Sequence, residues 1–189
     1  MLPETELAQR LERHDPSWAT YLPEAGPMTP AAVLLPLFYK AGEAHILLTM
    51  RTDQVSHHKG QISFPGGKSE PTDQNLAETA LRESWEEVGL RREDVRLIGQ
   101  MKPMPTLTRF WVHPFVGMIP YPYAFEVNPG EIATLIEVPL SHLRQPQNRR
   151  QGKRSFGGRE YEIYYFDYQE FTIWGITGHL LHDFLTLLD

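Results

Sequence analysis

Apolar positions along the chain recur with two periods, and each period predicts a different element. Leu7 and Leu11 form a stripe at helical spacing, which predicts a short amphipathic helix over residues 3–13. Pro16, Pro23, Pro27 and Pro30 mark a proline-rich connector after it. Residues 31–39 are almost wholly apolar and read as a buried strand. Residues 40–43 supply a turn and 44–50 a second strand, so the two form a hairpin. Residues 52–60 are polar and loop-like, and 61–64 read as a short strand entering a turn at Pro65-Gly66-Gly67. The next helix has readable ends. Asn75 is its N-cap, with Glu78 in capping-box position, and Gly89 follows its last turn. Leu81, Trp85 and Val88 recur at helical spacing and predict its buried face.

Residues 95–101, 110–119 and 131–138 read as further strands, and Ser141 as the cap of a short helix. Residues 159–167 and 170–173 read as a late hairpin after Gly157-Gly158. A final helix over 174–188 carries Leu180, Leu181, Phe184 and Leu188 as its core stripe. Strands interleaved with two substantial helices predict an α/β chain of the α+β type, a mixed β-sheet sandwiched between α-helices. Residues 1–30 are assigned as a helix and connector of the same domain, and 31–189 as one folded domain.

Composition narrows the function classes. The 189 residues suffice for one domain with a full core, and the 41% hydrophobic share is ordinary for a globular chain. A net charge of −6 repels polyanions, so nucleic acid is not an expected partner. There is no cysteine, which excludes disulfides and thiol nucleophiles and fits a reducing compartment. The longest apolar run is interrupted by Pro36 and too short to cross a bilayer, and the first residues lack the pattern of a signal peptide. The expectation is a cytoplasmic protein with no membrane partner, a monomer or weak homodimer.

The candidate chemistry lies in the helix. Glu83, Glu86 and Glu87 are three and four residues apart and share one side of it, just after a glycine pair. Like charges at this spacing cost about 0.2–0.5 kcal/mol per pair even when exposed. Arg82 offsets part of that cost, with Glu78 four residues before it and Glu86 four after. A hard divalent cation, which takes oxygen ligands, removes the rest. Such cations handle phosphates, so the pattern points to hydrolysis of a phosphate ester or diphosphate.

Gly67, Arg82-Glu83, Glu86-Glu87, Gly89 and Leu90 resemble the signature of the Nudix hydrolases, the Nudix box. The stretch from Gly67 to Arg82 is one residue longer than usual, Asp73 replaces the early glutamate, and Ser84 stands where an aliphatic residue is common. Upstream, residues 47–67 resemble the segment that marks the coenzyme A pyrophosphatase subgroup, with Leu48, Thr49, Arg51, Gly60, Phe64, Pro65, Gly66 and Gly67 matching. Thr52 and Ser56 depart from that segment. Residues 173–185 resemble the end of the same subgroup.

The resemblance implies the Nudix fold, a small nucleotide as substrate and Mg2+ or Mn2+ as cofactor. It implies Glu83 and Glu87 as principal metal ligands, Glu86 as a further ligand or holder of the attacking water, and the Gly67 carbonyl as an additional ligand. Arg82 belongs to the catalytic set. The general base is a box glutamate, Glu86, or a glutamate on a distant loop, Glu131. Arg51 and Lys59 are the candidate cations for the substrate phosphates. The implied reaction splits coenzyme A into 4′-phosphopantetheine and adenosine 3′,5′-bisphosphate, with acyl derivatives in the same class. The alternative is ADP-ribose or another nucleoside diphosphate-X, favoured by Pro105, fifteen residues past Leu90.

Overall fold

The computed structural model describes residues 3–13, 27–52, 60–156 and 158–189. Helix α1 (Glu4–Arg13) is followed by strands β1 (Thr29–Lys40), β2 (Glu43–Arg51), β3 (Ile62–Ser63) and β4 (Gly66–Lys68), then helix α2 (Leu76–Val88). Strands β5 (Arg96–Gln100), β6 (Met104–Pro105), β7 (Phe110–Met118) and β8 (Ile132–Pro139) lead to the short helix α3 (Leu140–Arg144). Strands β9 (Arg149–Phe156), β10 (Arg159–Tyr168) and β11 (Phe171–Ile173) precede helix α4 (Gly175–Leu188). Among the described residues, no helix is long and apolar enough to cross a membrane.

β1 and β2 organise the fold. They form the expected hairpin, with Leu37 opposite Ile46 and Lys40 opposite Glu43. β7 runs parallel to β1, while β8 and β3 pair with β2 and β5 with β7 in antiparallel register, so the eight-stranded sheet is mixed. Alternation along β1 explains why the run is apolar throughout: successive side chains point to opposite faces, and both faces are covered. Ala32, Leu34 and Phe38 pack with Ala80, Val88 and Phe115 on the side of α2. Leu35 and Leu37 pack with Leu7 and Leu11 of α1 and with Leu181 and Phe184 of α4 on the other. This is the mixed sheet between helices that the sequence predicts.

Four local expectations differ. The Gly66-Gly67 turn is instead β4, which lies against β1 with Gly67 opposite Ala32. The late hairpin of β10 and β11 is present, but β9 adds a third strand to it; its sequence, RRQGKRSF, has no apolar alternation that would announce a strand. Ser141 does not cap α3: Pro139 holds the N-cap position, and the Ser141 hydroxyl donates to Glu43 instead. Trp85 is not buried but 50% exposed. The buried side of α2 consists of Thr79, Ala80, Leu81, Ser84, Glu87 and Val88. Small residues at 80 and 84 let the helix approach the sheet, which turns Glu87 inward and Trp85 outward. Ser84 fits because its hydroxyl donates to the Ala80 carbonyl at 2.7 Å and leaves no unpaired group. The connector lies mostly in residues 14–26, outside the described residues.

The N-cap and the C-terminal glycine of α2 follow the sequence reading, while the capping box does not form. Asn75 Oδ1 accepts from the Glu78 N–H at 3.0 Å, and Gly89 adopts φ 68° where its N–H closes the last turn onto Trp85. The Glu78 side chain does not reach back to complete a capping box; it pairs with Arg92. Replacing Asn75 by Ala leaves the first-turn N–H without its acceptor. The expected cost is about 1 kcal/mol, or roughly 2–4 °C in melting temperature, with Asn75→Ser close to wild type. Urea or thermal unfolding of the two variants checks this, and an unchanged midpoint in Asn75→Ala contradicts it.

Candidate functional site

Glu83, Glu86 and Glu87 of α2 share a side of the helix but sit at three depths. The Glu87 side chain is 2% exposed, Glu83 16% and Glu86 48%. Glu87 is held from two directions: the Gly66 N–H donates to Oε2 at 3.1 Å, and Arg51 Nη1 donates to Oε1 at 3.2 Å. Burial pushes its carboxyl up to about 8, against the Gly66 and Arg51 contacts that pull it down. Burial also raises Glu83, with Arg82 pulling the other way and Glu86 and Glu131 adding to the rise.

The glycine pair is required where it stands. A Cβ on Gly66 would lie 2.3 Å from the Ala32 carbonyl oxygen, so β4 cannot approach β1 with a side chain there. A Cβ on Gly67 would lie 2.4–2.6 Å from the Glu83 carboxyl group, which occupies that space. The glycines therefore bring strand backbone against two carboxylates at once.

Arg82 is the hub of the exposed side. Its Nε donates to Asp73 Oδ1 at 2.9 Å, its Nη2 to the Lys68 carbonyl at 3.1 Å, and its Nη1 lies 3.0 Å from Glu83 Oε1 and 2.9 Å from Glu86 Oε2. The partner expected at Glu78 is thus Asp73, because Glu78 is taken by Arg92. Arg82 thus ties Glu83 and Glu86 to Asp73 and the loop before α2. Asp73 is held well below the ordinary carboxylate range, at about 2, chiefly by the Arg82 hydrogen bond. The signal was present in the sequence, since Asp73 occupies the early acidic position of the box.

Glu131 arrives from a separate loop at the start of β8. Its Oε2 lies 3.7 Å from Arg51 Nη2, so one guanidinium bridges Glu87 and Glu131. Asn128 Nδ2 donates to Glu131 Oε1 at 3.3 Å, and the Asn128 N–H donates to the Glu87 carbonyl at 2.9 Å. Arg51, Glu131, Gly66, Gly67 and Phe110 line one cleft of about 570 Å3, together with Lys68, which sequence reasoning did not select. Lys59 lies outside the described residues.

The donor set fits a hard divalent cation. Glu83, Glu86 and Glu87 offer only oxygens, and the two inner carboxylates are raised by burial, a cost that a bound cation reverses. Among the described residues, no three acidic or histidine side chains converge tightly enough to enclose an ion unaided.

The NUDIX domain family model matches residues 28–169. A relative from Photorhabdus laumondii, described as an uncharacterized Nudix hydrolase NudL, is 37% identical over 152 residues, spanning 80% of this chain and 81% of its own. A NudL relative from Yersinia enterocolitica is 38% identical over 151 residues, spanning 80% and 77%. Among solved structures, the Nudix hydrolase RenU from M. Smegmatis superposes with a TM-score of 0.52 at 20% identity, covering 63% of this chain and 75% of that one. A Nudix hydrolase from Alicyclobacillus acidocaldarius gives 0.51 at 18% identity, covering 62% and 82%. At these identities the structural likeness is one of fold.

The Asp73–Arg82 contact makes stability depend on pH. The folded carboxyl titrates below its ordinary value of 3.8, so its contribution is full above that value and is lost as pH falls toward 2. The expected size is on the order of 1–2 kcal/mol, because the desolvation of the largely buried Asp73 carboxyl offsets part of the Arg82 contact. Urea unfolding of wild type and Asp73→Asn should show a stability gap that narrows by this amount between pH 5 and pH 2.5. A gap independent of pH contradicts the assignment.

Proposed function

The chain belongs to the NUDIX domain family and is a Nudix hydrolase, and from that premise we propose that it hydrolyses the diphosphate linkage of coenzyme A. The products are 4′-phosphopantetheine and adenosine 3′,5′-bisphosphate. The observation that carries the reading is Arg51, which lines one cleft with Glu131 and Gly66-Gly67 and bridges Glu131 to the buried Glu87 behind them. It joins the box helix, the distant glutamate and the upstream segment whose resemblance is to the coenzyme A subgroup. A general diphosphate hydrolase needs the first two; the third supports this substrate over others.

Glu83, Glu87 and Glu86, with the Gly67 carbonyl, would hold Mg2+ or Mn2+. When bound, the ion supplies charge neutralisation for the diphosphate and acidifies water. The chain's own residues do the rest. Arg82, tied to Asp73, keeps Glu83 and Glu86 in place. Arg51 and Lys68 put positive charge into the cleft where an anionic substrate must enter. Glu131 is the base: it is 41% exposed, so water reaches it, and Asn128 and Arg51 fix its two oxygens. In the reaction a water oxygen bonds to one phosphorus, its proton passes to Glu131, and the bond from that phosphorus to the bridging oxygen breaks. The other phosphate departs with that oxygen.

Glu131→Gln should therefore lower kcat by roughly 10²-fold or more while leaving Mn2+ affinity unchanged. The assay resolves products by mass, with coenzyme A and ADP-ribose at equal concentration. A wild-type rate in Glu131→Gln, with loss in Glu86→Gln, transfers the role to Glu86. A preference for ADP-ribose overturns the coenzyme A assignment.

A further inference from the structure

A second cavity of about 350 Å3 opens from the same site, sharing Gln61, Ser63, Thr106, Thr108 and Ile176 with the cleft around Gly66-Gly67. Its far wall is built from the second sheet and the start of α4, and its apolar lining includes Met104, Leu107, Tyr161, Ile163 and Trp174. The Thr177 hydroxyl donates to the Ile62 carbonyl at 3.0 Å, which anchors α4 to β3 at the junction between the two spaces. Several of the wall residues, from Thr172 to His179, follow residue 169, where the family match ends.

The two spaces differ in charge. The cleft is lined by Arg51, Lys68 and Glu131. Among the described residues, the annex has no Asp, Glu, Lys or Arg in its lining, and the histidine there, His179, has its pKa lowered by burial. Coenzyme A has the same asymmetry. Its adenosine half bears a third phosphate, and its pantetheine half is uncharged, with amides and a geminal dimethyl group. A phosphate placed in the annex would be desolvated without a cation among the described lining residues, Arg154 lying over the outer Trp174 ring at 5.1 Å, so the uncharged half fits the annex better than the adenosine half. Amides passing the neck meet the neutral hydroxyls of Ser63, Thr106 and Thr108 and the amide of Gln61.

We propose that the annex beside β3 and α4 seats the pantetheine arm of the substrate, leaving the adenosine 3′,5′-bisphosphate half to the basic cleft. This rests on the coenzyme A reading above. Leu107 and Trp174, 46% and 42% exposed, stand at the outer part of the annex, where the thiol end or an acyl group on it would emerge.

The test separates the two halves of the substrate. Calorimetry on metal-free protein measures 4′-phosphopantetheine and adenosine 3′,5′-bisphosphate as separate ligands, for wild type, Ile163→Trp and Leu107→Asp. Each buried methylene is worth about fourfold in affinity, so filling the annex should weaken 4′-phosphopantetheine by roughly tenfold or more. Adenosine 3′,5′-bisphosphate should bind all three proteins equally. Leu107 is exposed, so Leu107→Asp keeps the fold even if Ile163→Trp does not. With coenzyme A as substrate, both variants should raise KM and leave kcat within about twofold. Equal losses for both halves, or none for either, overturn the inference while coenzyme A is still hydrolysed. Failure of wild type to hydrolyse coenzyme A overturns the reading beneath it instead.

Discussion

A carboxylate buried against a sheet governs how this chain is built. Glu87 occupies a place in α2 that an amphipathic helix ordinarily gives to an apolar side chain. Its two anchors, the Gly66 N–H and Arg51, come from β4 and from the end of β2. A buried carboxylate without partners costs several kcal/mol, so the helix, the glycine strand and the arginine are mutually required. The consequence on the other side of α2 is an exposed Trp85. Stability has been set aside at this position, as is common where a fold carries chemistry.

The rest of the site is arranged around that choice. Gly67 has no side chain because the Glu83 carboxyl group fills the space beside it. Arg82 spans Asp73, Lys68, Glu83 and Glu86 and so ties the loop before α2 to the helix. Arg51 carries the arrangement across to Glu131. These charges alternate in sign through the site, which tempers the repulsion that three neighbouring glutamates create. They do not remove it at the two inner positions, where burial still raises both carboxyl groups. A divalent ion is the further partner proposed for this pair.

Much of this was legible in the sequence, and the limits are physical. The hairpin of β1 and β2, the ends of α2 and the core stripe of α4 depend on local patterns, and all three match. Trp85 could not be placed from periodicity, because which side of a helix is buried depends on how closely it approaches the sheet, and Ala80 and Ser84 set that distance. Arg82 pairs with Asp73 rather than Glu78 because a loop folds back, which spacing along one helix does not encode. β9 is polar at nearly every position and is held by its pairing with β10. The annex is assembled from segments far apart in the chain, so no single stretch announced it. The box glutamates, Arg51 and Glu131 were candidates read from the sequence, and the structure brings Arg51 against Glu87 and Glu131; the different depths of the glutamates were not legible.

The central claim is that Glu83 and Glu87 form an oxygen site for a divalent ion on which turnover depends. Calorimetric titration of Mn2+ into chelator-treated protein tests it most directly, with turnover measured on the same samples. Saturable binding is expected in wild type, with both binding and turnover lost in Glu87→Gln although the variant remains folded. Wild-type protein that binds no ion, or that retains full turnover in excess chelator, contradicts the account.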